Sequence, residues 1–221
     1  MTSLTVEAVG RRLAASLCRD DACAVLCTRL VRLLAEGRPV SPDRLAAALG
    51  SSRAAVDATL REIPNVEFDD QGDIVAAGIS LLPTPHQFQV NGHLLYTWCA
   101  LDTLLYPVVL QQTAQVASRC PVSGLTLRFT VTPERVVPLE QAGALVSIVV
   151  PDAVAACCDV RGAFCQHVHF LAGHDAGVAW RAMHPAALLL SVEDAYAVAR
   201  LLAQTRYRTA SSSEDNDPKR C

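Results

Sequence analysis

The sequence predicts an α+β protein: an N-terminal winged-helix-like helical module, followed by a mainly antiparallel β-sheet domain with flanking helices. Three observations carry this. Apolar residues recur at helical spacing through the first 65 positions and at strand-like alternation afterwards. The strand-like runs follow one another instead of alternating with helices, which disfavours a parallel sheet. The 221 residues are 51% hydrophobic and 19% charged, ample for a real core and incompatible with disorder over most of the length.

Residues 1–20 form an amphipathic helix by pattern, with Leu4, Ala8, Leu13 and Leu17 on one face. Residues 22–35 form a second, with Val25, Leu26, Leu30, Leu33 and Leu34, ended by Gly37 and Pro39. Ser41-Pro42 opens a third helix with a hydroxyl cap and a proline at the first helical position, and Gly50 closes it. Ser51-Ser52 caps a fourth, carrying Val56, Leu60 and Ile63 and stopping before Pro64. Val66–Phe68, a turn from Asp69 to Asp73 and Ile74–Ile79 then read as a hairpin. Helix-turn-helix plus hairpin is the winged-helix pattern. Its charge does not suit DNA. Residues 1–65 hold nine Arg against seven acidic residues, and the wing tip carries Asp69, Asp70 and Asp73, which a phosphate backbone repels. The module reads as a packing or dimerisation unit.

After Pro83 and Pro85 the pattern changes. His86–Val90 alternates as a strand, Asn91-Gly92 turns, and a helix is expected from about Leu95 to Tyr106, stopped by Pro107. Strands are expected at 113–119, 125–132 and 144–150, a helical turn at 152–157 and a strand over 163–171. A helix at 175–182, a strand at 187–190 and a helix at 192–205 capped by Ser191 complete the order. The expected domains are therefore 1–82, a module that does not bind DNA, and 83–208, a catalytic α+β domain. Residues 209–221 have the composition of a disordered tail.

Composition narrows the function. The net charge of -3 disfavours a nucleic-acid partner. The only lysine is Lys219, which removes Schiff-base and phosphate-loop lysine chemistry. Leu94–Leu110 is the most apolar stretch, yet it is short of the roughly 20 residues of a membrane span, and a central Asp102 costs about 3 kcal/mol in lipid. No segment has the form of a signal peptide, and nine irregularly spaced cysteines suit free thiols in the cytoplasm better than a disulfide scaffold. Phosphate-binding glycine loops, nucleophile elbows and H-E-x-x-H are absent.

Two constellations remain. In Trp98-Cys99-Ala100-Leu101-Asp102, a thiol and a carboxyl three residues apart share one face of the expected helix. A carboxyl among Leu101, Leu104 and Leu105 is pushed toward its protonated form, the form a general acid needs. The plain alternative is a buried cysteine beside an aspartate that caps a loop. In Cys165-Gln166-His167-Val168-His169, the thiol and both imidazoles share one strand face; with Cys99 they would make an S2N2 metal set. The plain alternative is two half-buried sheet histidines. Cys18, Cys23, Cys27, Cys120, Cys157, Cys158 and Cys221 read as structural or incidental, and all but Cys120 as dispensable for turnover.

Together the blocks Gly37–Ser41, Leu95–Leu104 and Phe164–Phe170, the hairpin ending at Ile74 and the helix start Ser191–Ala195 resemble the organomercurial lyase (alkylmercury lyase) family over nearly the whole chain to about residue 205. The resemblance implies a winged-helix-like part without DNA binding, and a site of two cysteines and one aspartate: Cys99, Cys165 and Asp102. It gives Cys120 a structural role. Gln166 departs from the family's frequent second cysteine, which is not one of the essential pair. Cleavage of the carbon–mercury bond of alkyl- and arylmercury compounds by protonolysis is the expected reaction, giving a hydrocarbon and Hg(II). The product is held by Cys99 and Cys165 until other thiols take it. No organic cofactor is implied; cellular thiols and a mercuric reductase are the implied recipients. The chemistry agrees, because mercury is soft and prefers thiolate. One thiolate leaves an alkylmercury ion linear and stable. A second pushes electron density toward carbon, which then accepts a proton from a positioned acid. Asp102, taking its proton from an incoming thiol, fills that role. Two alternatives are a thiolate-based metal-sensing winged-helix transcriptional regulator and a zinc hydrolase using Cys99, Cys165, His167 and His169.

Overall fold

The computed structural model describes residues 5–17, 21–138 and 143–207. The expected tail at 209–221, with Lys219 and Cys221, lies outside the described residues, as do Leu4 and Cys18. Four helices open the chain: α1 (Val6–Leu17), α2 (Asp21–Leu34), α3 (Pro42–Leu49) and α4 (Arg53–Arg61). Each forms where its apolar spacing and caps dictate. Val9, Leu13 and Leu17 of α1 are buried at four-residue intervals, as are Leu26, Leu30 and Leu34 of α2. Ser41 Oγ accepts from the Arg44 amide at 3.2 Å, and Gly50 closes α3 in the left-handed region at φ 59°. Ser52 Oγ caps α4 through the Ala55 amide. Two arginines of this pair are already spent on carboxylates: Arg44 on Glu36 at 2.6 Å, and Arg53 on Asp43 and Asp57.

The hairpin of β1 (Glu67–Phe68) and β2 (Ile74–Ala77) is the edge of a larger sheet. With β3 (Ile79–Ser80), β4 (His86–Val90), β5 (His93–Thr97), β6 (Ala114–Arg119), β7 (Thr126–Val131) and β8 (Val136–Pro138) it makes eight antiparallel strands in the order β1-β2-β3-β5-β4-β6-β7-β8. A smaller antiparallel sheet orders as β10-β9-β11, from β9 (Leu145–Ile148), β10 (Phe170–Leu171) and β11 (Leu188–Ser191). Helix α5 (Ala100–Leu110) packs against the large sheet; α9 (Val192–Arg206) packs on α5, and α1 on α9. Helices α6 (Ala153–Cys158), α7 (Val160–Ala163) and α8 (His174–Met183) complete the chain. The two sheets meet where Phe129 stacks on Phe170 at 4.5 Å.

Two expected elements are corrected. Residues 95–106 are not one helix: His93–Thr97 is β5, and α5 begins at Ala100. Asn91 and Gly92 both have positive φ, 51° and 79°, the geometry of a two-residue hairpin turn. Such a turn returns the chain as an antiparallel strand, and Leu95 and Thr97 are buried on its inner face. Nor does Pro107 stop α5, which runs on to Leu110. An interior proline costs about 3 kcal/mol. Burial of eight of the eleven residues of α5 offsets that cost. The second correction is at 163–171. Asp159 accepts from the Gly162 amide and starts α7, Cys165–His167 is a 3₁₀ turn, and only Phe170–Leu171 pairs as a strand. Strand β8 was not expected.

Candidate active site

Cys99 sits at the junction of β5 and α5, in extended conformation at the N-cap position of the helix. Its place is fixed from three sides. The Trp98 amide donates to Gly78 O at 3.1 Å, Thr97 Oγ1 donates to Cys99 O at 3.0 Å, and the Ala100 amide donates to Val168 O at 3.1 Å. The last bond ties the start of α5 to the loop of Cys165, whose own carbonyl accepts from the Val168 amide. A sequence separation of 66 residues is closed in this way. The Cys99 and Cys165 sulfurs and a carboxylate oxygen of Asp102, in the first turn of α5, all lie within 4.8 Å of one another. No other group of three or more potential metal ligands occurs among the described residues. All seven described cysteines, these two included, are thiols rather than disulfides.

Electrostatics follow from burial. Cys99 is fully enclosed, and burial pushes its thiol well above the usual range; the neighbouring Cys165 and the charge of Asp102 push the same way. Burial also raises Asp102, to about 6, against hydrogen bonds with Cys99 and the positive charge of Arg206. The shift runs in the direction its leucine neighbours imply: the carboxyl has raised basicity and stands beside a thiol whose ionisation burial opposes. Asp102 Oδ2 is buried without a hydrogen-bond partner among the described residues. An orphaned acceptor of this kind costs stability, and a functional site is one place where the cost persists.

Asp102 and Cys165 face a cavity of about 180 Å³. Trp98, Leu101, Leu105 and Phe164 give it an apolar lining, and Ile63 and Pro64 reach it from the N-terminal module. A dry apolar cavity of ~150 Å³ accepts benzene, so alkyl and aryl substituents are within range. Cys99 lies behind this lining. Arg161 stands 5.4 Å from the Trp98 ring centre and pairs with Glu67. Arg206, Tyr106 and Tyr207 also line the cavity; Tyr207 is pushed up to about 12 by burial. Sequence reasoning missed these three. Tyr106 had a signal, four residues from Asp102 on the same helix. Arg206 and Tyr207 arrive from α9 and had none.

The histidines are elsewhere. On the 3₁₀ turn, Cys165 and His167 cannot share a strand face with His169. His169 Nε2 bonds to Gln166 O at 2.8 Å, and its ring stacks on His86 and meets Trp180 edge-on. His167 packs edge-on against His184. The S2N2 set is therefore not assembled. Cys120 is buried in its turn, its sulfur accepting from the Ser123 amide. Cys157 and Cys158 are both exposed, and Cys157 lines the cavity.

Comparison with known proteins agrees with this geometry. Residues 79–204 match the family model described as alkylmercury lyase, and residues 9–78 match that of the helix-turn-helix domain of alkylmercury lyase. An alkylmercury lyase of Pseudomonas putida is 44% identical, over 81% of this chain and 84% of the relative. One from Streptomyces lividans is 46% identical over 79% of this chain and 80% of its own. In fold, the chain is similar to the crystal structure of the mercury-bound form of MerB2, with a TM-score of 0.73 at 20% identity, covering 90% of this chain and 98% of that one.

Proposed function

The chain belongs to the alkylmercury lyase family, and from that premise we propose that Cys99, Cys165 and Asp102 perform its reaction. The enzyme is an organomercurial lyase, acting on the carbon–mercury bond of small organomercury compounds. The metal-sensing regulator finds no support among relatives that are enzymes.

One observation carries the assignment of residues: two sulfurs and a carboxylate oxygen within 4.8 Å of one another at an apolar cavity. Mercury of R–Hg(II) exchanges its outside ligand for the Cys165 sulfur, and the Cys165 proton leaves with that ligand. The Cys99 proton moves to the Asp102 carboxylate, whose raised basicity suits it to receive it. Both sulfurs then bind mercury and push electron density onto the carbon. Asp102, now loaded, returns the proton to that carbon, the carbon–mercury bond breaks, and R–H leaves. Hg(II) remains on Cys99 and Cys165. The apolar lining keeps water from competing and accepts the substituent.

In this reading no organic cofactor takes part, external cellular thiols remove Hg(II), and a mercuric reductase is its acceptor. The work is cytoplasmic; among the described residues no helix is long and apolar enough to cross a membrane. Residues of the module over 1–82, Ile63 and Pro64 among them, line the cavity beside the catalytic part over 83–208, and the module reads no nucleic acid. The test is incubation with phenylmercury and excess thiol, with benzene measured by gas chromatography. Wild type should release benzene catalytically, and Cys165→Ala should fall to background, because one thiolate leaves mercury in its linear state. Near-wild-type release by Cys165→Ala would sink the assignment.

A further inference from the structure

We propose that Arg206 is an anion subsite of the substrate cavity, so that the enzyme favours arylmercury compounds carrying a carboxylate remote from the metal. The inference rests on the proposed site of Cys99, Cys165 and Asp102. It adds to that reading the charge of the substituent.

Arg206, the last residue of α9, lines the same cavity as Asp102 and Cys165. Among the described residues it makes no ion pair with any carboxylate. Its guanidinium carbon lies 5.5 Å from the centre of the Tyr207 ring, an aromatic face that holds the cation without neutralising it. Asp102 feels the positive charge, yet its Oδ2 is buried without a hydrogen-bond partner among the described residues. Two opposite charges thus share one cavity without meeting. A cation withdrawn from water and left without a counterion is costly. A carboxylate carried in on the substrate removes that cost.

The surroundings suit an anion. Tyr106 and Tyr207 line the cavity, and burial raises both hydroxyls, so they are phenols with protons to donate. They bond to each other, which leaves one O–H free to point elsewhere. A guanidinium and a phenol are therefore the donors on offer, the pairing that a carboxylate accepts from most strongly. Size agrees as well. The cavity of about 180 Å³ exceeds the ~150 Å³ that holds benzene by roughly the volume of one compact polar group. A mercurated benzoate matches the whole lining. Its soft metal goes to Cys165 beside Asp102, its ring to Leu101, Leu105 and Phe164, and its carboxylate to Arg206.

The subsite takes no part in bond breaking, so it acts equally on the ground state and the transition state. Such binding lowers KM and leaves kcat in place. A hydrogen-bonded charge of this kind is worth about tenfold.

The experiment uses the full chain as wild type and Arg206→Met, with excess thiol. The substrates are 4-carboxyphenylmercury and 4-carbamoylphenylmercury, which share a shape and differ in charge. Their products, benzoic acid and benzamide, are measured by liquid chromatography. The readout is the ratio of kcat/KM for the two substrates within each protein, which cancels any effect of the substitution on Asp102 or on the fraction folded. Wild type should favour the carboxylate about tenfold, through KM, and the ratio should fall to about one in Arg206→Met. A ratio near one in wild type, or a preference kept in Arg206→Met, overturns the subsite. If wild type releases neither product, the catalytic reading fails instead. The subsite is then decided without mercury, by titrating benzoate and benzamide into both proteins and following bound ligand by NMR. Preference for benzoate in wild type alone upholds it, and equal affinities overturn it. Arg206→Gln replaces the methionine variant if the latter does not fold.

Discussion

Asp102→Asn separates the charge of the carboxyl from its shape, and its consequences can be worked from the site. Burial holds the carboxyl at about 6 against an ordinary 3.8, despite hydrogen bonds with Cys99 and the charge of Arg206. The folded protein therefore binds this proton more tightly than the unfolded chain. The cost of ionising it is absent well below pH 3.8, grows between 3.8 and about 6, and is complete above that. At 1.36 kcal/mol per tenfold in proton affinity it reaches about 3 kcal/mol at pH 8, of which about half is already present at pH 5. Asparagine carries none of it. Asparagine also leaves a buried amide short of partners, a loss that does not vary with pH. The difference across pH isolates the carboxylate. Relative to wild type, Asp102→Asn should gain about 1 kcal/mol between pH 5 and pH 8, which is roughly 2–4 °C in Tm for a chain of this size.

The same variant should fail in chemistry. General acid catalysis contributes ~10²–10⁴ in rate, and an amide has no proton to return to carbon. Single-turnover release of benzene should slow by about that factor while one mercury per protein is still captured. Thermal melts at the two pH values and a stoichiometric mercury determination complete the assay. A stability gap that stays flat or narrows as pH rises would mean that the carboxylate is stabilised as an ion, by Arg206 or otherwise. Loss of capture with unchanged chemistry per bound mercury would make Asp102 a ligand or a support. Either result refutes the proton-carrier argument.

The direction of the Asp102 shift also sets a pH profile: capture on one sulfur does not need the carboxylate, but binding by the second sulfur, and with it hydrocarbon release, needs it as proton acceptor, so single-turnover release of benzene should fall about tenfold per pH unit below about 6 and level off above, read by rapid quench. Gly78 lies beside the site at φ +88°, and a methyl group built there collides with the Tyr106 hydroxyl. Gly78→Ala should cost about 1–3 kcal/mol in denaturant unfolding and lower hydrocarbon release through displacement of Tyr106 and Trp98; wild-type values in both assays would refute the packing described.

The helices of the first module were legible because local signals specify them: Ser41-Pro42, Gly50 and Ser52 act through bonds within a few residues. The two misread segments fail for a shared reason. Leu94–Leu110 is apolar on every side, so period could not separate a strand buried on one face from a helix buried nearly all round. The dipeptide Asn91-Gly92 held the answer, since its hairpin geometry demands a returning strand. At 163–171 the alternation of Phe164, Gln166, Val168 and Phe170 imitates a strand, while Asp159 upstream winds the chain into α7. Tertiary bonds, which no local pattern reports, then fix the rest: Ser147 accepts from the His169 amide and its own amide donates to His169 O.

Misplacing both elements still left Cys99, Asp102 and Cys165 as the candidates: Asp102 stood out because a carboxyl among leucines is costly on any backbone, and the set of three came from the resemblance carried by Leu95–Leu104 and Phe164–Phe170. The correction to the backbone adds function to that mark. Were Cys99 in the middle of a helix, its amide would be bonded to the preceding turn and its thiol would sit one turn from Asp102 on the outer face. At the N-cap of α5 it has an extended backbone, its amide is available to the Asp102 carboxylate, and its sulfur lies by the Asp102 amide in the first turn of the helix, which favours negative charge there. A thiol that burial makes hard to ionise thus has beside it both an acceptor for its proton and a helix end for the charge left on sulfur. The break between β5 and α5, which a continuous helix would have erased, is what the proposed mechanism uses when one aspartate serves first as base and then as acid.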